Sequence, residues 1–225
     1  MNTLNTKAFA GLLFLTIVMA ALLFIPAWTI DYWQAWVLLG VFAGSSLAIT
    51  IYLMKKDPKL LDRRIYAGPI SEKAWSQKII QSITFVMFLA ILVVPALDHR
   101  LHWSTVPLFV IIAGDVFVAA GFLIVFLVYK ENSFASATVE IYPGQKVVST
   151  GLYAHVRHPM YMGGCILIIG MPLALGSWWG VLVYFVFMPA LLWRLFDEEK
   201  LLEKNLSGYI EYKNKVRYRL VPFVW

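Results

Sequence analysis

Long uncharged apolar runs alternate with short, mostly basic connections along this chain. Four windows, Ala8–Trp28, Trp33–Met54, Ile79–Leu97 and Trp103–Tyr129, are long enough to cross a bilayer core, which needs roughly 17–25 apolar residues. The first three carry no charged residue and the fourth carries only Asp115. Two shorter windows follow, Met160–Leu175 and Trp178–Trp193, of 16 residues each, or about 24 Å of helix. Only Gly176-Ser177 separates them, which predicts a tight helical hairpin. Helix is expected rather than strand, because backbone groups in lipid must bond within their own segment and no alternating pattern of barrel strands is present. The expected fold is an all-α integral membrane protein: four long transmembrane helices, a C-terminal helical hairpin (five to six spans in all) and a cytoplasmic C-terminal helix. The first run is longer than the ~7–15 residues of a signal-peptide core and no small-x-small site follows it before Trp33, so it is expected to remain in place.

Composition agrees with the pattern. The chain is 60% hydrophobic and 14% charged, against ~45–50% and ~25% for soluble domains. The net charge of +6 would suit a nucleic-acid partner if it were spread over one soluble face, but it is sorted by segment instead. The connection Lys55–Lys78 holds seven Lys/Arg, Lys130–Pro159 three, the tail from Arg194 seven and the N-terminus Lys7; the other side has only Arg100. This bias predicts that both termini, the long fourth connection and the tail are cytoplasmic, in contact with anionic membrane lipid, with no nucleic-acid partner. A bacterial inner membrane suits the short chain. Cys165 is the only cysteine, so neither an intrachain disulfide nor a cysteine metal cluster is expected. The chain divides at about residue 130 into N-terminal membrane helices (1–130) and a region that carries the chemistry (131–225), integrated as one domain.

The chemistry is expected on the basic side. The stretch Glu131–Tyr161 is dense in Tyr, His, Arg and Gly, has turn signals at Pro143-Gly144 and Thr150-Gly151, and runs straight into an apolar helix. Irregular backbone entering a membrane must be buried in protein or line a cavity. A second dense stretch, Arg194–Glu199, ends the last apolar window. Arg194 and Glu198 are four residues apart and share a helix face. They form either a salt bridge at the membrane edge or a cation and a carboxylate that both face a cavity. Asp115 is an intramembrane acid, a functional candidate by default with a helix-packing hydrogen bond as its competitor. His99/His102 and His155/His158 have a spacing that could ligate a metal, the latter pair with Asp197, Glu198 or Glu199. Interfacial histidine is the plainer reading, and no metal is expected. No nucleotide-binding glycine motif of the soluble folds is present, so a nucleoside cofactor would have to bind among membrane helices.

These residues resemble the isoprenylcysteine carboxyl methyltransferase family, within the wider group that includes phospholipid N-methyltransferases. The pattern is Gly151-Leu152-Tyr153, then Arg157-His158-Pro159-Met160-Tyr161-Met162-Gly163, a hydrophobic hairpin, Glu198-Glu199, and a tail with Leu202, Gly208, Tyr209, Tyr212, Val216 and Pro222. It covers roughly Asn132 to Phe223. The resemblance implies an S-adenosyl-L-methionine-dependent methyltransferase whose cofactor pocket is built by this region. By the same resemblance Glu140, Gln145, Lys146, Val147 and Val148 line the pocket, Tyr153, His158, Pro159, Met160 and Tyr161 form its wall, Glu198 holds a polar part of the cofactor, and Arg194 is the substrate-facing, catalytic arginine. Arg157 and Glu199 are candidates for support.

The residue types suit those roles. Tyr153 and Tyr161 offer aromatic faces to a sulfonium cation, Glu198 accepts from ribose hydroxyls, and Lys146, His158 or backbone N–H groups can meet a carboxylate. A carboxylate acceptor is ionised at neutral pH and needs no base, and a guanidinium fork would orient it. The expected partner is a lipophilic methyl acceptor that enters from the bilayer. The rival readings are N-methylation of a lipid amine, which an arginine beside the nucleophile opposes, and NADPH-dependent sterol reduction. Reductases have a similar R-H-P-x-Y-x-G region but usually continue with glutamate where this chain has Gly164. The last rival is a membrane protein without catalysis, in which Arg157, His158 and Tyr161 merely anchor to headgroups.

Overall fold

The computed structural model describes residues 3–65, 68–72 and 74–225. Lys73, one of the basic residues counted in the second connection, lies outside the described residues. The described chain forms eight α-helices and two short 3₁₀ turns: α1 Thr3–Ala27, α2 Trp33–Lys56, α3 Pro58–Ile65, α4 Trp75–Leu101, α5 Leu108–Glu131, α6 Pro159–Ala174, α7 Trp178–Asn205 and α8 Tyr209–Lys215. Among the described residues there is no strand. Five helices, α1, α2, α4, α5 and α7, are long and apolar enough to cross a membrane, and α6 is a shorter apolar helix. The protein is an all-α integral membrane protein, as its hydrophobic pattern predicts.

Two boundaries differ from that pattern for physical reasons. The fourth run begins as helix only at Leu108, after Pro107 in an extended conformation. The second arm of the hairpin does not stop at Trp193: α7 continues to Asn205. Its charged extension stays helical because several of those charges point into the protein, where they find partners, instead of marking the end of an apolar run.

The central core lies between α1, α2, α4, α5 and α6, around Met19, Leu38, Ile91, Leu92, Val118 and Met171, each fully buried. Outward residues such as Phe14, Phe109 and Phe185 are largely exposed, as a lipid-facing surface requires. The α5–α6 seam is the closest approach. A Cβ on Gly114 would lie 2.2 Å from the Ala174 backbone nitrogen, one on Gly121 2.6 Å from the Gly163 carbonyl oxygen, and one on Gly170 2.8 Å from the Gly114 carbonyl oxygen. Small residues allow this backbone contact, and dispersion across it drives association where lipid supplies no hydrophobic force.

The hairpin runs from the basic end to the opposite end. At its turn Gly176 adopts φ +73°, a conformation glycine takes without strain, and Ser177 caps α7 by accepting from the Gly180 N–H. Tyr32, in the first short loop, donates to the Leu175 carbonyl at 2.7 Å. Ser177 and Ser104 both donate to buried Asp98. This polar cluster pins the hairpin turn to the loops on the opposite face. It also fixes where α6 begins and where the charged part of α7 lies, both at the other end.

Candidate active site

The chain between α5 and α6 is irregular and is held from several sides. Asn132 Nδ2 donates to the Tyr153 hydroxyl at 2.9 Å, and the Tyr212 hydroxyl on α8 donates to the Tyr153 carbonyl at 2.8 Å. Burial pushes the Tyr153 hydroxyl up to about 12, with the Asn132 bond opposing and the Glu198 charge adding to the rise, so it stays neutral. Burial likewise raises Tyr209 and Tyr212. Val147 packs with Tyr153, Leu202, Leu206 and the α8 tyrosines, which folds the tail back over the loop. Further along, the Thr138 and Tyr142 hydroxyls donate to Glu140 at 2.8 and 2.6 Å, and Gln145 accepts the Tyr142 N–H.

Residues 157 and 158 are fastened to the tail. Their N–H groups donate to the carbonyls of Tyr218 and Arg219 at 2.9 and 3.0 Å. The Arg157 guanidinium donates to Glu199 at 2.8 Å and to the carbonyls of Val216 and Arg217. His158 Nε2 lies 3.2 Å from the same carboxylate, and Arg219 donates to its other oxygen at 3.0 Å. Arg157, His158 and Glu199 are all at most 6% exposed. This knot sets the start of α6, where Pro159 occupies a first-turn position that has no intrahelical use for an N–H.

Beside the knot is a cavity of about 270 Å³. Arg194, Glu140, Gln145, Lys146, Val147, Val148, Tyr153, His158, Pro159, Met160, Tyr161 and Glu198 all line it, as does Arg157. Of the site residues that the resemblance implies, Glu199 alone is outside the lining; its carboxylate is taken up by the knot. Arg194 and Glu198 do share a helix face, and that face looks into the cavity. They do not form a mutual pair at the membrane edge. The Tyr161 hydroxyl donates to Glu198 at 2.5 Å. Arg194 forms an ion pair with Glu72 at 2.8 Å, and also donates to Gln77 Oε1 and to the Ala137 carbonyl, both at 2.8 Å.

Sequence reading missed the contribution of the first half. Arg64 and Gln81 line the cavity, and Glu72 and Gln77 hold Arg194 from behind. No spacing marked them: Glu72 stands in a basic connection, and Gln77 reads as the polar start of an apolar helix. The other candidates lie elsewhere. His155 is exposed, while His99 stacks on Tyr32 at 3.9 Å at the opposite end. Asp115 is outside the cavity lining, and its Oδ1 is buried without a hydrogen-bond partner among the described residues. Among those residues no group of three His, Cys, Asp or Glu is placed to hold a metal ion.

Residues 109–207 match the phospholipid methyltransferase family. The chain is 39% identical over 90 residues to protein-S-isoprenylcysteine O-methyltransferase of Saccharomyces cerevisiae, a stretch covering 35% of this chain and 33% of that enzyme. It is 31% identical over 91 residues to a delta(14)-sterol reductase of Mus musculus, covering 39% of this chain and 22% of the reductase. The chain thus spans about a third of the first relative and about a fifth of the second. The matched family region, α5 through α7, contains the glycine seam, the Arg157–Tyr161 stretch, Arg194 and Glu198.

Proposed function

We propose that this chain, whose α5–α7 region belongs with the membrane methyltransferases, transfers a methyl group from S-adenosyl-L-methionine to a carboxyl oxygen of a lipid-like or prenylated acid. The observation that carries the reading is the convergence of Glu198, Tyr161 and Arg194 on one cavity at the end of an apolar bundle. The lining fits the cofactor by its chemistry. The carboxylates of Glu198 and Glu140 and the rings of Tyr153 and Tyr161 suit a cationic sulfonium. Glu198 offers acceptors for ribose hydroxyls. The Lys146 ammonium and the first-turn N–H groups of α6, which have no intrahelical acceptor, suit a carboxylate.

When bound, the cofactor supplies an electrophilic methyl carbon. Transfer from it would be an in-line displacement onto an acceptor oxygen that is already ionised, so no proton transfer would be asked of Arg194 or Glu198. Alignment therefore does most of the work. Arg194 orients the acceptor, held by Glu72, Gln77 and Ala137 so that its guanidinium cannot swing. Glu198, braced by Tyr161, fixes the cofactor side. The apolar helices give a lipophilic tail a lateral route to Arg194, while the cofactor enters at the basic end, which the Lys/Arg bias makes cytoplasmic, as in a bacterial inner membrane.

One observation favours a second reading, N-methylation of a lipid amine. The charge of Arg194 is offset by Glu72, so it repels an amine less than an isolated arginine would.

The test is calorimetric titration of the purified protein with S-adenosylhomocysteine and with NADPH, followed by turnover with a prenylcysteine and with phosphatidylethanolamine. Saturable S-adenosylhomocysteine binding and methylation of the prenylcysteine are expected. Methylation of phosphatidylethanolamine alone selects the amine reading. Binding of NADPH without S-adenosylhomocysteine overturns both.

A further inference from the structure

Arg194 has its partners in place before any acceptor arrives. Nη1 donates to Glu72 and to Gln77, and Nη2 donates to Ala137, which commits three of the five N–H donors of a guanidinium. The Glu72 side chain is 0% exposed and that of Arg194 12%, so the pair is buried. Glu72 reaches this place from the connection before α4 and also ties down the pocket's loop. Its Oε2 accepts the Val139 N–H at 3.2 Å, and its Oε1 accepts from Gln81 at 3.3 Å. The reading above uses Arg194 but gives Glu72 no role beyond holding it.

Charge balance supplies that role. Methylation of a carboxylate removes one positive charge at sulfur and one negative charge at oxygen together. An arginine whose only counter-ion was the acceptor would be left buried and uncompensated once the neutral ester formed, which is costly. Before the reaction it would also hold the acceptor tightly in its ground state, and binding of that kind does not raise turnover. A resident carboxylate removes both penalties, because Arg194 is then balanced before and after transfer.

We propose that Glu72 is the resident counter-ion of the acceptor site, a positioning residue that keeps Arg194 an orienting donor instead of a carboxylate trap. The inference rests on the assignment of Arg194 to an acidic acceptor. Its test is Glu72→Gln, which keeps an acceptor oxygen and loses the charge. With a prenylcysteine acceptor, KM falls at least about fivefold and kcat falls by at least the same factor, while affinity for S-adenosylhomocysteine stays within about twofold. Glu72→Asp, which keeps the charge, brings KM and kcat back to within about threefold of the parent protein. Without any ligand, Glu72→Gln lowers the unfolding temperature, and the double variant Glu72→Gln/Arg194→Gln regains most of the loss, since neither charge is then left unpaired. If Glu72→Gln does not accumulate as folded protein, the stability of the double variant and the kinetics of Glu72→Asp carry the test. An unchanged or raised KM in Glu72→Gln with cofactor affinity intact overturns the proposal, as does a double variant no more stable than the single one. A parent protein that binds no S-adenosylhomocysteine overturns instead the reading on which it rests.

Discussion

Glu198 and Glu199 are adjacent on α7, yet the rotation of about 100° per residue in an α-helix sends them into different regions. Glu199 enters a closed polar knot. Both of its oxygens are taken by side chains from three sequence positions, Arg157, His158 and Arg219, and the residue is 4% exposed. Glu198 enters the cavity, where Tyr161 donates to one oxygen. The first arrangement ties α7, the start of α6 and the tail into one piece. The second presents a braced carboxylate to a space large enough for part of a ligand. Two like residues side by side thus divide the work: one builds the wall, the other faces inward. A pair of glutamates at the end of an apolar helix cannot be assigned one role from its sequence alone.

The knot is where the largest loss is expected. Glu199→Ala leaves the Arg157 guanidinium buried without its counter-ion, which costs about 3–5 kcal/mol. Thermal unfolding in detergent should show that loss, and binding of S-adenosylhomocysteine should disappear with it. A variant with unchanged stability would mean that the tail holds the start of α6 without Glu199. Glu198→Ala should do the opposite. Stability should fall by only about 1–2 kcal/mol, less than at Glu199, because what is lost is the acceptor of one Tyr161 hydrogen bond. Affinity for S-adenosylhomocysteine should fall about 10–100-fold, as loss of a charged hydrogen-bonding partner implies. Equal loss of stability in both variants would erase the distinction between the two glutamates.

Much of this was legible before any coordinates. The apolar runs carried the membrane fold because bilayer thickness dictates their length. The lining of the cavity was legible because Tyr153, His158 to Tyr161, Arg194 and Glu198 match the motif positions of the family the chain resembles, and the fold brings them to one space. Three things were not legible. The α7 helix runs twelve residues past the last apolar window: the spacing of Arg194 and Glu198 marks a shared helix face, but nothing in the pattern shows how far the charged extension continues, which depends on Arg194 and Glu199 pairing inside the protein. The division of labour between Glu198 and Glu199 depends on where the tail returns, and nothing local to α7 encodes that. The counter-ion of Arg194 lies 122 residues away in a segment without a motif, and only the packing of α4 against α7 brings it there.

The seam between α5 and α6 tests both regions together, because α6 carries Tyr161 toward Glu198 and follows directly from His158 at Glu199. A Cβ on Gly163 would lie 2.9 Å from Ile124 Cγ2 and 3.1 Å from the Gly121 carbonyl oxygen. Gly163→Ala should therefore cost about 1–3 kcal/mol by overpacking. If the knot is the stiffer region, α6 will yield at Tyr161. Cofactor affinity should then fall more than the stability change alone predicts, with Arg157–Glu199 intact in a structure of the variant.

The smallest effect is expected at Tyr153, on the cavity wall away from the knot. Its hydroxyl accepts from Asn132 while its carbonyl accepts from Tyr212, so the ring is positioned twice, once by its side chain and once by its backbone. Tyr153→Phe removes only the first. One neutral hydrogen bond contributes about 1 kcal/mol, and the Tyr212 bond and the packing of Val147 remain. Stability should drop by about that amount, and affinity for S-adenosylhomocysteine by no more than about fivefold. Raising the pH to 10 should not reproduce the change, because burial holds the hydroxyl near 12 and it stays protonated. A loss as large as that of Glu198→Ala would show that the hydroxyl itself touches the ligand. The cavity wall would then be built by contact at Tyr153 as well as at Glu198, and the division between bracing and facing residues would run through the tyrosine instead of around it.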